Sequence, residues 1–111
     1  MFEILFGNQT IEKILFYLVK NEECYGADLA KRFDSALYGI QRAFAKLERA
    51  GILVSFNKGR TRYYQFNPRY PFLKELRALL EKAFIFLPQD IQETYSSQWQ
   101  RKRPRRAGKT L

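Results

Sequence analysis

Apolar residues in the middle of the chain recur at steps of three and four. Over residues 34–51, Leu37, Ile40, Phe44 and Leu47 keep this spacing, which gathers them on one side of an α-helix. Tyr38, Gln41, Arg42, Lys46 and Arg49 fall on the opposite side. Ser35 is placed to cap the helix by accepting from an unpaired backbone N–H. Gly51 is placed to end it in a left-handed turn. Upstream, Ile11, Ile14, Leu15, Leu18 and Val19 make a second stripe over residues 10–20, with Asn8 as its cap. Residues 21–24 read as a polar turn, with Cys24 a partly buried small residue. Residues 26–33 predict a short helix with Leu29 and Phe33 inward. Asp28 near its start and Lys31 and Arg32 near its end suit the helix dipole. Only Asp34 and Ser35 separate it from the long helix, so the pair reads as a helix-turn-helix.

After Gly51 the period falls to two. Residues 52–56 and 61–66 read as strands and residues 57–60 as the turn between them, with Gly59 supplying a positive φ. Alternation assigns Tyr64 and Phe66 to the core side. Lys58, Arg60 and Arg62 crowd the hairpin tip. Pro71 suits the first position of a helix, and residues 72–87 predict a long one stopped by Pro88. Its apolar positions are too many for one stripe, above all after Ala83. Such a helix needs two partners: its own domain and, on the favoured reading, a second copy of the chain. Residues 1–6 would join that homodimer contact; the alternative is that they cover the surplus within one chain. Ile91, Tyr95 and Trp99 stand four apart in a polar stretch, which suggests a short helix.

Charge sharpens the picture. The chain has 111 residues and a net charge of +9, unevenly placed. Residues 1–30 are net −3, residues 31–69 net +7, residues 70–100 net −1 and residues 101–111 net +6. The first positive block coincides with the long helix and the hairpin, a footprint for a polyanion. The second has no apolar pattern and reads as mobile, able to grip phosphates without sequence preference. An anionic membrane would also attract such charge, but the first block lies in a segment that reads as folded. Gly39, inside the long helix, costs about 1 kcal/mol against Ala. It therefore needs a reason, such as close approach of another helix or of a DNA backbone.

Other classes drop away. There is one cysteine and no histidine, so an intramolecular disulfide and the usual His/Cys zinc sites are excluded. No paired nucleophile and base, phosphate loop or ligand set is visible, so no enzyme, cofactor or metal is expected. Residues 1–6 lack a signal-peptide pattern, and no apolar run approaches the ~20 residues of a membrane span. A cytoplasmic protein without membrane contact is the expectation.

Helix, helix, turn, helix, two-stranded wing and closing helix is the order of a winged helix-turn-helix, a mainly α fold with a small β-hairpin. The segments Leu-Glu-Arg-Ala-Gly-Ile-Leu at 47–53 and Gly-Arg-Thr-Arg-Tyr-Tyr at 59–64 carry the most specific likeness. Over residues 5–87 the chain resembles the ArsR-like winged-helix transcriptional regulators. The resemblance implies a homodimeric DNA-binding protein joined through its terminal helices. DNA contact would be carried by Tyr38, Gln41, Arg42 and Lys46 in the recognition helix and Lys58, Arg60 and Arg62 in the wing. Family members usually place Ser or Thr where this chain has Ala36, so the cap shifts to Ser35. The expected organisation is a winged domain with a dimerisation helix over residues 1–87, then a polar and basic, partly disordered extension over residues 88–111.

The function expected is sequence-dependent binding of double-stranded DNA, hence transcriptional regulation. Gln41 and Arg42 would read base edges in the major groove. Tyr38, Lys46 and the wing cations would mostly hold phosphates. Two recognition helices of a dimer would meet grooves ~34 Å apart. The alternative is a winged-helix protein-interaction subunit whose basic tail binds nucleic acid nonspecifically.

Overall fold

A computed structural model describes residues 8–96. The elements run α1 (Gln9–Lys20), β1 (Cys24–Tyr25), α2 (Gly26–Arg32), α3 (Leu37–Arg49), β2 (Leu53–Lys58), β3 (Thr61–Phe66), α4 (Leu73–Ile85) and α5 (Gln89–Glu93). The strands form one antiparallel sheet in the order β1-β3-β2. The expected hairpin is present, and its register runs from Leu53 opposite Phe66 to Lys58 opposite Thr61. Only Gly59 and Arg60 remain in the loop. Gly59 has φ +60° and Arg60 does not share the positive φ, the pattern of a type II′ turn. The short β1 was not expected. It pairs Cys24 with Tyr64 and Tyr25 with Tyr63, and two residues are too few to show alternation.

Local chemistry sets the helix ends. Asn8 caps α1 as expected, its Oδ1 accepting from the Ile11 N–H at 2.8 Å. Gly51 ends α3 with φ +81°. The Ile52 N–H donates to the Leu47 carbonyl and the Gly51 N–H to the Glu48 carbonyl, both at 3.0 Å, which completes a Schellman motif. Asp34 does the same for α2 with φ +53°, and the Ser35 N–H donates to the Ala30 carbonyl at 2.9 Å. That arrangement displaces the cap expected at Ser35. Its hydroxyl donates to the Phe33 carbonyl instead, and α3 starts after Ala36 with no side-chain cap.

The core gathers Ile14, Leu15, Phe16 and Leu18 of α1, Leu29 of α2, Ile40, Phe44 and Leu47 of α3, Leu53 of β2 and Leu80 of α4. Leu37 departs from the expected stripe: it is 42 % exposed, at the edge of the core. Cys24 is fully buried, where partial burial was expected. Burial pushes its thiol well above the ordinary 9.0, and Asp28 and Glu23 add to the shift.

The closing helix starts at Leu73, two residues beyond Pro71. The excess of apolar surface on α4 is real. Leu80 and Ala83 face the core, while Phe72, Leu79, Ile85 and Phe86 are exposed, the last two above 70 %. Residues 1–6, the other half of the expected dimer contact, lie outside the described residues, as do Trp99 and the basic block at 101–111.

Beyond the expected boundary at Leu87 the chain continues to pack through Ser96. The Tyr95 ring is buried against Phe16, Phe33 and Phe84 at centroid distances of 5.9, 5.5 and 5.8 Å. Arg32, counted by composition in the basic block at 31–69, is buried and holds this segment. Its Nη1 donates to the Thr94 and Ser96 carbonyls at 2.9 and 2.8 Å, and its guanidinium lies over the Tyr17 ring. Asn21 Nδ2 donates to the Tyr95 carbonyl at 2.9 Å.

Candidate nucleic-acid interface

The outer side of α3 is open to solvent because its inner side is fully used. Ile40, Ala43, Phe44 and Leu47 are buried. The outward positions stand clear of the core, with Tyr38 69 % exposed and Gln41, Arg42, Ala45, Lys46 and Arg49 also exposed. The Arg42 guanidinium lies 5.7 Å from the Tyr38 ring centroid, a cation–π contact that steadies both side chains. Ala45 and Arg49 complete this outer ridge. Periodicity placed Arg49 on this side, yet neither residue was among the expected contacts.

The wing is held against the helix by short links. Phe44 of α3 stacks on Tyr64 of β3 at 3.9 Å between centroids and 10° between planes. Asn67 closes the base of the hairpin, its N–H donating to the Ile52 carbonyl and its Nδ2 to the Gly51 carbonyl. Glu48 braces the flank. Its Oε2 accepts from the Ser55 hydroxyl at 2.8 Å and pairs with Arg62 Nη2 at 3.4 Å. A cleft of about 300 Å³ runs between helix and wing, lined by Leu37, Gln41, Phe44, Arg60, Arg62 and Tyr64 among others. Gln41 therefore leans toward the wing, while Arg42 stays on the ridge.

All seven expected residues are exposed, and they span α3 and the tip of the hairpin. The wing cations are not equivalent, which the sequence did not reveal. Lys58 is hydrogen-bonded and ion-paired to Glu23, and that hydrogen bond raises its ammonium pKa above the ordinary 10.5. Arg62 shares Glu48 with Ser55. Arg60, at the turn, makes no ion pair among the described residues. Two of the three wing cations thus carry an internal carboxylate, brought to them from elements distant in sequence.

Among the described residues there is no group of three His, Cys, Asp or Glu side chains that could hold a metal ion. No described helix is long and apolar enough to cross a membrane.

No protein-family model matches the chain, and no curated protein matches it. Its fold is similar to that of solved structures. One is the adhesin competence repressor AdcR from Streptococcus pyogenes, at 20 % identity and TM-score 0.54 over 70 % of this chain and 60 % of that one. Another is a mutant of ZitR from Lactococcus lactis, at 18 % and 0.53 over 78 % and 66 %. The apo form of that mutant gives 20 % and 0.57 over 78 % and 73 %. The chain thus spans less than two thirds of the length of the first two. With three helices, a small antiparallel sheet and a closing helix, the architecture is that of the winged-helix fold.

Proposed function

We propose that this chain binds double-stranded DNA with sequence preference and acts as a transcriptional regulator, as a homodimer and in the cytoplasm. The observation that carries the reading is the cationic outer side of α3, open to solvent beside a basic wing. Arg42 and Gln41 read base edges, Arg suiting guanine and Gln suiting adenine. Tyr38, Lys46, Arg60 and, once released from their carboxylates, Lys58 and Arg62 hold phosphates and set register. Likeness to a protein named as a repressor supports the regulatory role. The segments at 47–53 and 59–64 support an ArsR-like assignment. The exposed Phe72, Leu79, Ile85 and Phe86 support a second copy of the chain on α4. The basic block at 101–111 supplements binding without sequence preference. We assign no enzymatic activity, metal or cofactor.

Selection of bound fragments from a random duplex pool, followed by gel shift with competitor DNA, tests the reading. A recurrent near-palindromic site is the expected result. Arg42→Ala should cost on the order of 1–3 kcal/mol and blur one base step. An equal loss on every sequence would remove Arg42 from the base-reading set. Failure to retain any duplex would end the DNA reading.

The rival reading, a protein-interaction module, draws on the exposed apolar residues of α4. A partner of different sequence, recovered in place of a second copy, would favour it.

A further inference from the structure

Gly39 has no structural reason within the described chain. It sits inside α3, its φ is not in the left-handed region, and an added Cβ would meet nothing within 4 Å. Neither a turn nor close helix packing asks for glycine here, and both are the ordinary reasons for finding one in a helix. Glycine also permits something outside the chain to approach the helix backbone closely.

The surroundings say what that would be. Arg42, Ala43 and Lys46 stand three, four and seven residues after Gly39, so all four share one flank of α3. That flank forms one wall of a cleft of about 310 Å³. Asn8 and Thr10, at the start of α1, form the other. The lining holds two cations, a hydroxyl and an amide, with no carboxylate among its residues. The positive end of the α1 dipole adds to the same sign of potential, offset in part by Glu12, which stands in the first turn of α1 but does not line the cleft. This contrasts with the opposite flank of α3, where Glu48 faces the wing. One side of the recognition helix is thus partly neutralised from within, and the other is left cationic.

We propose that this cleft receives a phosphate of the DNA backbone, held by Lys46 and the Thr10 hydroxyl, with Gly39 giving it room and Arg42 passing its rim toward the bases. The inference rests on the DNA-binding reading and extends it from the recognition helix and wing to the start of α1. The phosphate contact fixes how deeply α3 enters the groove. It carries no base preference of its own.

Gly39→Ala in the full chain separates this from a structural role, because the two effects have opposite signs. The urea midpoint should rise, since alanine is the better helix former and meets no neighbour. Duplex affinity should fall about tenfold, the scale of one lost charge-assisted hydrogen bond. The fall should be alike for selected and random sequences. Lys46→Gln should lower the slope of log affinity against log salt by about 1, and Thr10→Val should weaken binding without changing that slope. A raised midpoint with undiminished affinity would overturn the proposal. So would a lowered midpoint, which would mean that the chain itself fills the space. Wild-type protein that binds no duplex sinks the DNA reading; wild-type binding with an unimpaired Gly39→Ala sinks the cleft alone.

Discussion

Replacing Tyr95 with alanine removes the side chain that most clearly ties the polar C-terminal stretch to the domain. Tyr95 is 4 % exposed and touches three other rings, those of Phe16, Phe33 and Phe84. Deleting a large aromatic from such a site typically costs about 3–5 kcal/mol, through lost burial and the cavity left behind. Domains of this size have about 5–15 kcal/mol in total. Each kcal/mol lowers Tm by roughly 4–8 °C in a domain of 60–100 residues. Thermal unfolding followed by circular dichroism should therefore show a fall of at least about 12 °C. Tyr95→Phe keeps all three ring contacts and should cost less than about 1.5 kcal/mol, the worth of an ordinary hydrogen bond. A fall below about 4 °C for Tyr95→Ala would mean that the ring is not part of the core. The domain would then end near Leu87, as composition suggested.

Other outcomes follow from the same structure. Glu48→Gln, alone or with Glu23→Gln, removes the carboxylates beside Arg62 and Lys58. Affinity for any duplex should rise several-fold at low salt, with a steeper salt dependence in a titration series. The Glu48 pair is exposed, so its loss should lower stability by less than about 1 kcal/mol. Gly51→Ala puts a Cβ at φ +81°, which should destabilise the fold by about 1–2 kcal/mol in urea unfolding. Alkaline pH should lower the stability of the fold with two successive slopes. Burial raises the Cys24 thiol above its ordinary 9.0 and the Tyr17 and Tyr95 phenols above their ordinary 10.0. The folded state then holds protons that the unfolded state has released, so the stabilisation is complete at neutral pH and declines as pH rises past about 9 and again past 10. Tm measured from pH 7 to 11 should show both slopes, and Cys24→Ala should flatten the first.

The winged-helix fold and the chemistry of the candidate interface stand on different observations. Likeness at 18–20 % identity speaks for the fold. The interface stands on exposed cations and their partners, which differ from one flank of α3 to the other.

Much of the architecture was legible in the chain alone, because it depends on near neighbours. The stripes at Ile11, Ile14, Leu15, Leu18 and Val19 and at Ile40, Phe44 and Leu47 predicted two core helices; all of these are buried except Val19, which is partly buried. Asn8, Gly51 and Gly59 announced a cap, a helix end and a hairpin turn through conformations that few other residues adopt as readily. What tertiary structure decided depends on residues brought together from afar. Two-residue β1 exists only because Tyr63 and Tyr64 pair with it. Leu37 leaves the stripe because it lies at the edge of the core beside the wing cleft. Arg32, one more cation in a basic block by composition, is buried because the carbonyls of Thr94 and Ser96 come to meet it. Glu23 and Glu48 pair with the wing cations across turns that no local pattern encodes. Periodicity reports which side of an element is apolar; only the packed chain decides which polar group finds a partner, since a hydrogen bond or ion pair needs both groups at one place in space.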